Sequence, residues 1–383
     1  MNYLTKLADV LVRYSTAVKT GDLVAVIAEP AAMPLVKEIY AACLRAGANP
    51  FYSPRSEDLQ ELLVAHGSDE QIAFVSPIQQ HLVETIDVSI ALWAEQNSQF
   101  LAGYPASKAA LLQQARKPYL KRFMQREAEK TLRWVGSQYP TQASAQDAGM
   151  SLRLYEEFVY RAGLLHLPDP VAAWQAVERT QQRVVDYLQG RKELHFRVPP
   201  HNGHDGTDLK VDVSRATWIN CCGHSNFPDG EVFAGPGGVD GHVNYTFPAV
   251  YMGHRVEGVR LKFKAGRVVE ATARSGEAFL HQMLDQDAGA RTLGEIAIGT
   301  NYGIRNFSCN TLFDEKIGGT FHAAVGAGYP KSGNTNESGL HWDMVCDLRP
   351  LEGRPGGTIH SDGALLHADG LFVDPAFPRP AAG

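Results

Sequence analysis

The sequence predicts an α/β protein in two parts: an N-terminal domain on an open, mostly parallel sheet, then a β-rich, barrel-like α+β domain. Three observations lead there. The chain has 383 residues, and at roughly 100–200 residues per domain two domains are the natural division. The first half alternates short apolar runs with helical patterns, the signature of strands joined by helical crossovers. In the second half glycine becomes frequent and short alternating strands take over. The boundary is expected near residues 190–200, giving an α/β domain over 1–195 and a β-rich domain over 196–383.

Each element has a local reason. Leu23–Ile27 is an apolar run after the turn residues Gly21 and Asp22. Pro30 and Pro34 suit the opening of a helix reaching about Arg45, with Gly47 as its C-terminal cap. Pro50–Tyr52 begins an extended stretch, and Ile86–Trp93 reads as a buried strand. Lys117–Glu129 is helical in pattern, Trp134–Tyr139 extended, and Ser151–Arg161 helical. A longer helix over Pro170–Leu188 opens with a capping Asp169 and a proline at its first position. Its Val171, Trp174, Val177, Val184 and Leu188 can share one buried face. Beyond Gly190 the strands are Leu209–Val213, Val256–Lys264 and Val268–Ala273. The last two are joined through Lys264-Ala265-Gly266-Arg267 as a hairpin. A helix is embedded near Gly276–Asp287.

Composition excludes several classes of function. Hydrophobic residues make up 44% and the net charge is −6, which suits a globular core. There is no Lys/Arg block of the kind that tracks phosphates, so nucleic acid is not expected as a main partner. No apolar run of about 18 residues is present, so no membrane span is expected. The N-terminus lacks the layout of a signal peptide. Five cysteines without a CxxC pair suggest reduced thiols and a cytoplasmic location. The neighbouring Cys221 and Cys222 read as buried small residues of a strand. No GxGxxG follows the first strand, and no GxSxG elbow occurs.

Chemistry concentrates in the second half. Glu231, Glu295, Glu315, His322, His341 and Asp343 all stand beside glycine-rich turns or at strand ends. His341 and Asp343 are two apart, so on a strand they project from the same face. Glu315 and His322 flank Ile-Gly-Gly-Thr, whose glycines permit a tight turn. Singly, each has a plain structural explanation: a surface histidine, a hairpin glutamate, a helix-start glutamate. Together, four carboxylates and two imidazoles suit a pair of divalent ions such as Zn²⁺, Co²⁺, Mn²⁺ or Mg²⁺. Lys316 and Arg305 can bind a substrate carboxylate or carbonyl, or form surface salt bridges. His201, His204 and Asp205 read as a solvated loop. His360, Asp362, His367 and Asp369 read as hairpin residues.

The segments NFPDGEVF, GEIAIGTN, LFDEKIGGTFHAAVGAGYP and SGLHWDMV resemble, in this order, the aminopeptidase T, aminopeptidase S and PepS family of metallopeptidases. The likeness runs through about residues 207–345 and is looser before that. It implies that Glu231, Glu295, Glu315, His322, His341 and Asp343 are metal ligands, with Glu295 bridging two ions. It implies that Tyr329 lies at the active site, where it can donate a hydrogen bond to an oxyanion. Glu315 is a proton shuttle if it is not a ligand. The Glu315–His322 loop is slightly longer here than in some members. The implied activity is removal of N-terminal residues from peptides with a free N-terminus, by a homodimer. A rival reading of the same scaffold is a ring-cleaving dihydroxypyridine-type dioxygenase, with one Fe²⁺ on His322, His341 and Asp343. A third is a non-catalytic relative.

Overall fold

The computed structural model describes residues 2–101, 103–201 and 203–380. The chain divides into two compact units: residues 1–171 with 223–227, and residues 172–222 with 228–383.

In the first unit, four strands follow one another with helices between: β1 (Leu23–Ala28), β2 (Asn49–Pro54), β3 (Val88–Trp93) and β4 (Arg133–Gln138). They pair in parallel in the order β2-β1-β3-β4, and the short strand Asn226–Phe227 adds to β4 from later in the chain. Val24, Ala25, Val26, Val88, Ile90, Leu92 and Val135 are fully buried. Strands covered on both faces read as continuous apolar runs rather than alternating ones, which is how β1 and β3 declared themselves. The helix opened by Pro34 spans Met33–Arg45. The helix expected over Lys117–Glu129 is longer, Ala106–Ala128, with Pro118 inside it. The proline masks the continuity of the pattern because it interrupts the helical hydrogen-bond ladder without ending the helix.

The second unit is antiparallel. Eight strands form one sheet in the order Arg267–Thr272, Arg260–Lys264, Gly238–Asn244, Thr207–Asp212, Glu193–Val198, Thr358–Ser361, Ala364–Ala368 and Leu371–Phe372. A five-stranded sheet contains β5 (Ile219–Cys221), β6 (Glu231–Ala234), β7 (Leu293–Gly299), β8 (Thr320–Gly326) and β9 (His341–Asp347) in the order β9-β8-β7-β6-β5. One apolar core lies between the two sheets; Phe196 of the first meets Phe321 of the second with ring centroids 4.4 Å apart. The expected strand Val256–Lys264 is two strands, His254–Val256 and Arg260–Lys264. The break falls at Gly258, whose φ of +64° turns the chain out of extended geometry. The turns at Ala265-Gly266, Asp362-Gly363 and Asp369-Gly370 all have both residues at positive φ, as two-residue hairpins require. Among the described residues, no helix is long and apolar enough to cross a membrane.

His367 lies on the strand Ala364–Ala368, fully buried, edge-on to Phe372 at 5.1 Å. Burial pulls its imidazole from 6.5 down to about 3, so the folded chain keeps it neutral. Below pH 6.5 the unfolded chain takes up a proton that the folded chain refuses. The stability this neutral ring allows is complete above that pH and is lost as pH falls toward 3. The melting temperature of the wild type should therefore fall more steeply across this window than that of His367→Leu; parallel slopes would show that His367 is not responsible.

Candidate metal centre

Strand alternation and register decide which side chains meet. Paired residues on neighbouring strands face the same way. Glu231 pairs with Gly299, Glu295 with Ala324, His322 with both Ala297 and Val345, and Asp343 with Ala324. Glu231, Glu295, His322, His341 and Asp343 thus share one face of the sheet. The opposite face carries Val232, Ile296, Ile298, Phe321, Val325 and Met344, all in the core. Between the functional side chains the near face is floored by Ala297, Gly299, Ala324 and Gly326. Small residues there leave room for the longer side chains to converge.

Two glycines make this possible. The β7–β8 register slips between Leu293 and Glu295. Gly294 is the extra residue, so Leu293 faces the core and Glu295 faces the site. A Cβ on Gly294 would come within 2.3 Å of the Ala327 carbonyl. Bulges re-aim side chains in this way beside functional sites. Gly299 has a different task. A Cβ there would come within 2.1 Å of the Ile317 carbonyl, so its absence lets the segment carrying Glu315 and Lys316 lie against the sheet. That segment follows the short helix Thr311–Asp314, and the amide of Asn301 donates to the Lys316 carbonyl at 3.0 Å.

His322 is fully buried at the centre. Its Nδ1 stands 3.2 Å from the Glu315 carbonyl, and its Nε2 lies 3.1 Å from Glu295 Oε1, 3.6 Å from Glu231 Oε2 and 3.7 Å from Asp343 Oδ1. His341, the exposed member, places Nδ1 2.9 Å from the Ala327 carbonyl and Nε2 3.5 Å from Asp343 Oδ1. In both rings a backbone carbonyl accepts from Nδ1–H and aims Nε2 at the carboxylates. A carbonyl in that role is the usual orienting partner of a metal-binding imidazole. Lys316, 1% exposed, donates to Glu231 Oε1 at 2.6 Å and to Glu315 Oε1, with Asp229 Oδ1 at 3.7 Å.

The electrostatics reflect an excess of buried negative charge. Burial pushes the Glu231 carboxyl up to about 8 despite the opposing pull of Lys316. Burial also raises Glu315 and takes Asp314 up to about 7. Burial works against a charge on His322, but Glu295, Glu231 and Asp343 outweigh it and carry the imidazole up to about 10. His341 rises to about 10 chiefly through Asp343. Asp343 is itself held below the usual carboxylate range, because His341 and its other cationic neighbours outweigh burial.

The residues fit a divalent cation. Buried oxygens Glu231 Oε2 and Asp343 Oδ1 have no hydrogen-bond partner, an expensive condition for buried carboxylates unless something else satisfies them. Donor atoms of Glu295, His322 and Asp343 all lie within 4.8 Å of one another, as do those of Cys221, Asp229 and Glu231. Mixed carboxylate and imidazole donors suit Zn²⁺ and its neighbours.

The six side chains named from sequence come together around His322 and Lys316. Tyr329 is half-buried, its ring 6.0 Å from that of Phe233, which shares the site face of β6. Lys316 corrects the surface reading: it is buried among carboxylates because the Gly299 approach brings its segment onto the sheet. Arg305 contributes its carbonyl to Arg349 Nη1 at 3.2 Å. Cys221 ends its strand half-buried, and Cys222 is buried just after it. Sequence reading passed over Asp229, although it lies inside the NFPDGEVF segment. It also passed over Gln181, fully buried on the helix Pro170–Leu188. Gln181 Nε2 donates to Asn220 Oδ1, the Cys221 carbonyl and the Glu231 carbonyl at 2.8–3.1 Å, and its Oε1 accepts from Thr300. A glutamine inside an apolar helical stripe was the available signal.

A family profile described as thermophilic metalloprotease (M29) matches residues 1–353. Aminopeptidase 2 of Geobacillus stearothermophilus is 28% identical, over 85% of this chain and 84% of that one. Aminopeptidase T of Thermus thermophilus is 28% identical, over 96% and 92%. Aminopeptidase PepS of Streptococcus thermophilus is 29% identical, over 61% and 60%. The solved structure of wild-type AmpT from Thermus thermophilus superposes with a TM-score of 0.84 at 24% identity, covering 97% of this chain and 99% of that one. That likeness carries the fold, and it agrees with the parallel N-terminal sheet and strand-rich C-terminal region expected from sequence.

Gly294→Ala should force the bulge to shift, costing roughly 1–3 kcal/mol of stability as overpacking does. It should also lower the metal bound per chain by displacing Glu295. A variant with wild-type melting temperature and metal content would show that the bulge tolerates a side chain.

Proposed function

The chain belongs to the thermophilic metalloprotease (M29) family, and from that premise we propose that it is a metallo-aminopeptidase acting on peptides with a free N-terminus. The observation that carries this reading is the convergence of Glu231, Glu295, His322 and Asp343 on one sheet face, with two buried carboxylate oxygens lacking a hydrogen-bond partner. Its aminopeptidase relatives supply the reaction class, and they do not favour the ring-cleaving alternative.

In this reading Glu231, Glu295, Glu315, His322, His341 and Asp343 would hold two divalent ions. Bound there, such ions would supply Lewis acidity to a water and to the scissile carbonyl. The protein's own groups do the rest. The Glu315 and Ala327 carbonyls fix the His322 and His341 rings so that each offers Nε2. Where Glu315 is not a ligand, its carboxyl, raised by burial, accepts and returns a proton as the general base. Tyr329 donates a hydrogen bond to the developing oxyanion. The carboxylate-rich wall receives the substrate's α-ammonium, which restricts cleavage to the first residue. A homodimer goes with this reading through the family resemblance, and a cytoplasmic location through the five cysteines without a CxxC pair.

Dialysis against a chelator should abolish release of N-terminal residues from aminoacyl fluorogenic substrates, and Zn²⁺, Co²⁺ or Mn²⁺ should restore it. Full activity in metal-stripped protein would end the proposal. Separately, His322→Ala and Glu295→Gln should each lower kcat/KM by more than about 100-fold, since they remove donors whose supporting partners alone are worth that much. Tyr329→Phe should lower kcat more than it alters KM, as expected for a contact made in the transition state. An unchanged kcat would remove Tyr329 from the mechanism.

A further inference from the structure

We propose that the acidic cluster comprises two unequal cation sites, and that Lys316 is the resident cation of one of them. This rests on the metallopeptidase reading above and deepens it. Glu231 straddles the two halves: its Oε1 takes Lys316 Nζ at 2.6 Å, while its Oε2 lies 3.6 Å from His322 Nε2.

The halves differ in what is already satisfied. On the Lys316 side, the ammonium bonds Glu231 Oε1 and Glu315 Oε1 and stands 3.7 Å from Asp229 Oδ1. Three carboxylates around one cation is an arrangement a divalent ion also requires. The lysine is 1% exposed, so water offers its ammonium little alternative company. On the His322 side, Glu231 Oε2 and Asp343 Oδ1 have no hydrogen-bond partner and stand near imidazoles alone, His322 Nε2 for both and His341 Nε2 3.5 Å from Asp343. Both unpartnered oxygens lie within 3.7 Å of His322 Nε2. The lysine is held in place by its backbone: its amide donates to the Phe313 carbonyl at 3.1 Å and its carbonyl accepts from Asn301 at 3.0 Å.

The consequence is an order of loading. Residues on the His322 side can accept an ion without giving up an ion pair to Lys316. Residues on the other side can accept one only when the ammonium releases Glu231 and Glu315, so lost pairing and like-charge repulsion both oppose it. The first ion is held tightly and the second weakly, and Lys316 sets the gap.

The test titrates the full-length, metal-stripped protein with Zn²⁺ alone and counts bound ions by calorimetry and elemental analysis. The wild type should show two steps with dissociation constants at least about tenfold apart, or one step at one ion per chain. Lys316→Met should strengthen the second step by at least about tenfold, while Lys316→Arg, which keeps the charge, should leave it weak. Two equal steps in the wild type overturn the proposal, a result that needs no variant to fold. An unchanged second step in folded Lys316→Met overturns it as well. Equal steps with metal-dependent peptidase activity would reject the role of Lys316 and leave the peptidase reading standing; failure to bind any ion would reject both.

Discussion

Charge compensation on one face of a buried sheet is the constraint around which the second unit is arranged. Asp229, Glu231, Glu295, Glu315 and Asp343 crowd a small volume, and most are nearly inaccessible to water. Buried carboxylates in a low-dielectric setting must be paired, protonated or bound to a metal. Lys316 and the two imidazoles supply part of the balance. The upward shifts at Glu231, His322 and His341 show the cluster drawing in protons to supply more. A fold that brings these groups together without neutralising them would be weakened by their repulsion, so cation binding and structural integrity are coupled at this site.

The rest of the unit places these groups with few adjustable parts. The face opposite the cluster is apolar and packs on the eight-stranded sheet, which fixes the strand register, because a one-residue slip would turn the carboxylates into the core. The bulge at Gly294 changes the parity of one strand locally and so moves Glu295 to the functional face. Gln181, from a helix distant in sequence, ties the backbones of β5 and β6 where Asp229, Cys221 and Glu231 meet. Rigid strands carry Glu231, Glu295, His322, His341 and Asp343, while Glu315, Lys316 and Tyr329 come from connecting segments. This division suits a site that must hold an ion firmly yet admit a substrate.

Much of this was legible because it is local. The apolar runs of β1 and β3, the proline-opened helices and the Ala265-Gly266 and Asp362-Gly363 turns depend on residues close in sequence. The two-residue spacing of His341 and Asp343 likewise fixed a shared face once a strand was recognised. Other features were not legible, since they arise from distant segments meeting. Lys316 reads equally as a substrate-binding or a surface salt-bridging lysine until Gly299 is seen to admit its backbone. Asp229 draws no notice until Asn301 Nδ2, which donates to its carbonyl, and Lys316 are placed beside it. Pro118 obscured a helix that runs on through it, from Ala106 to Ala128.

The amino-acid sequence by itself determined the chemical inventory: two α/β and β-rich halves, a set of carboxylates and imidazoles beside turns, and motifs shared with a metallopeptidase family. Those properties follow from residue type, periodicity and order along the chain. Only the tertiary structure decided which oxygens are left unpartnered, which histidine nitrogens face inward, and that a lysine shares the cage. Pairing between strands is set by long-range register and close backbone approach, and charge interactions depend on through-space distance and burial. Neither quantity is written in the spacing of residues along the chain.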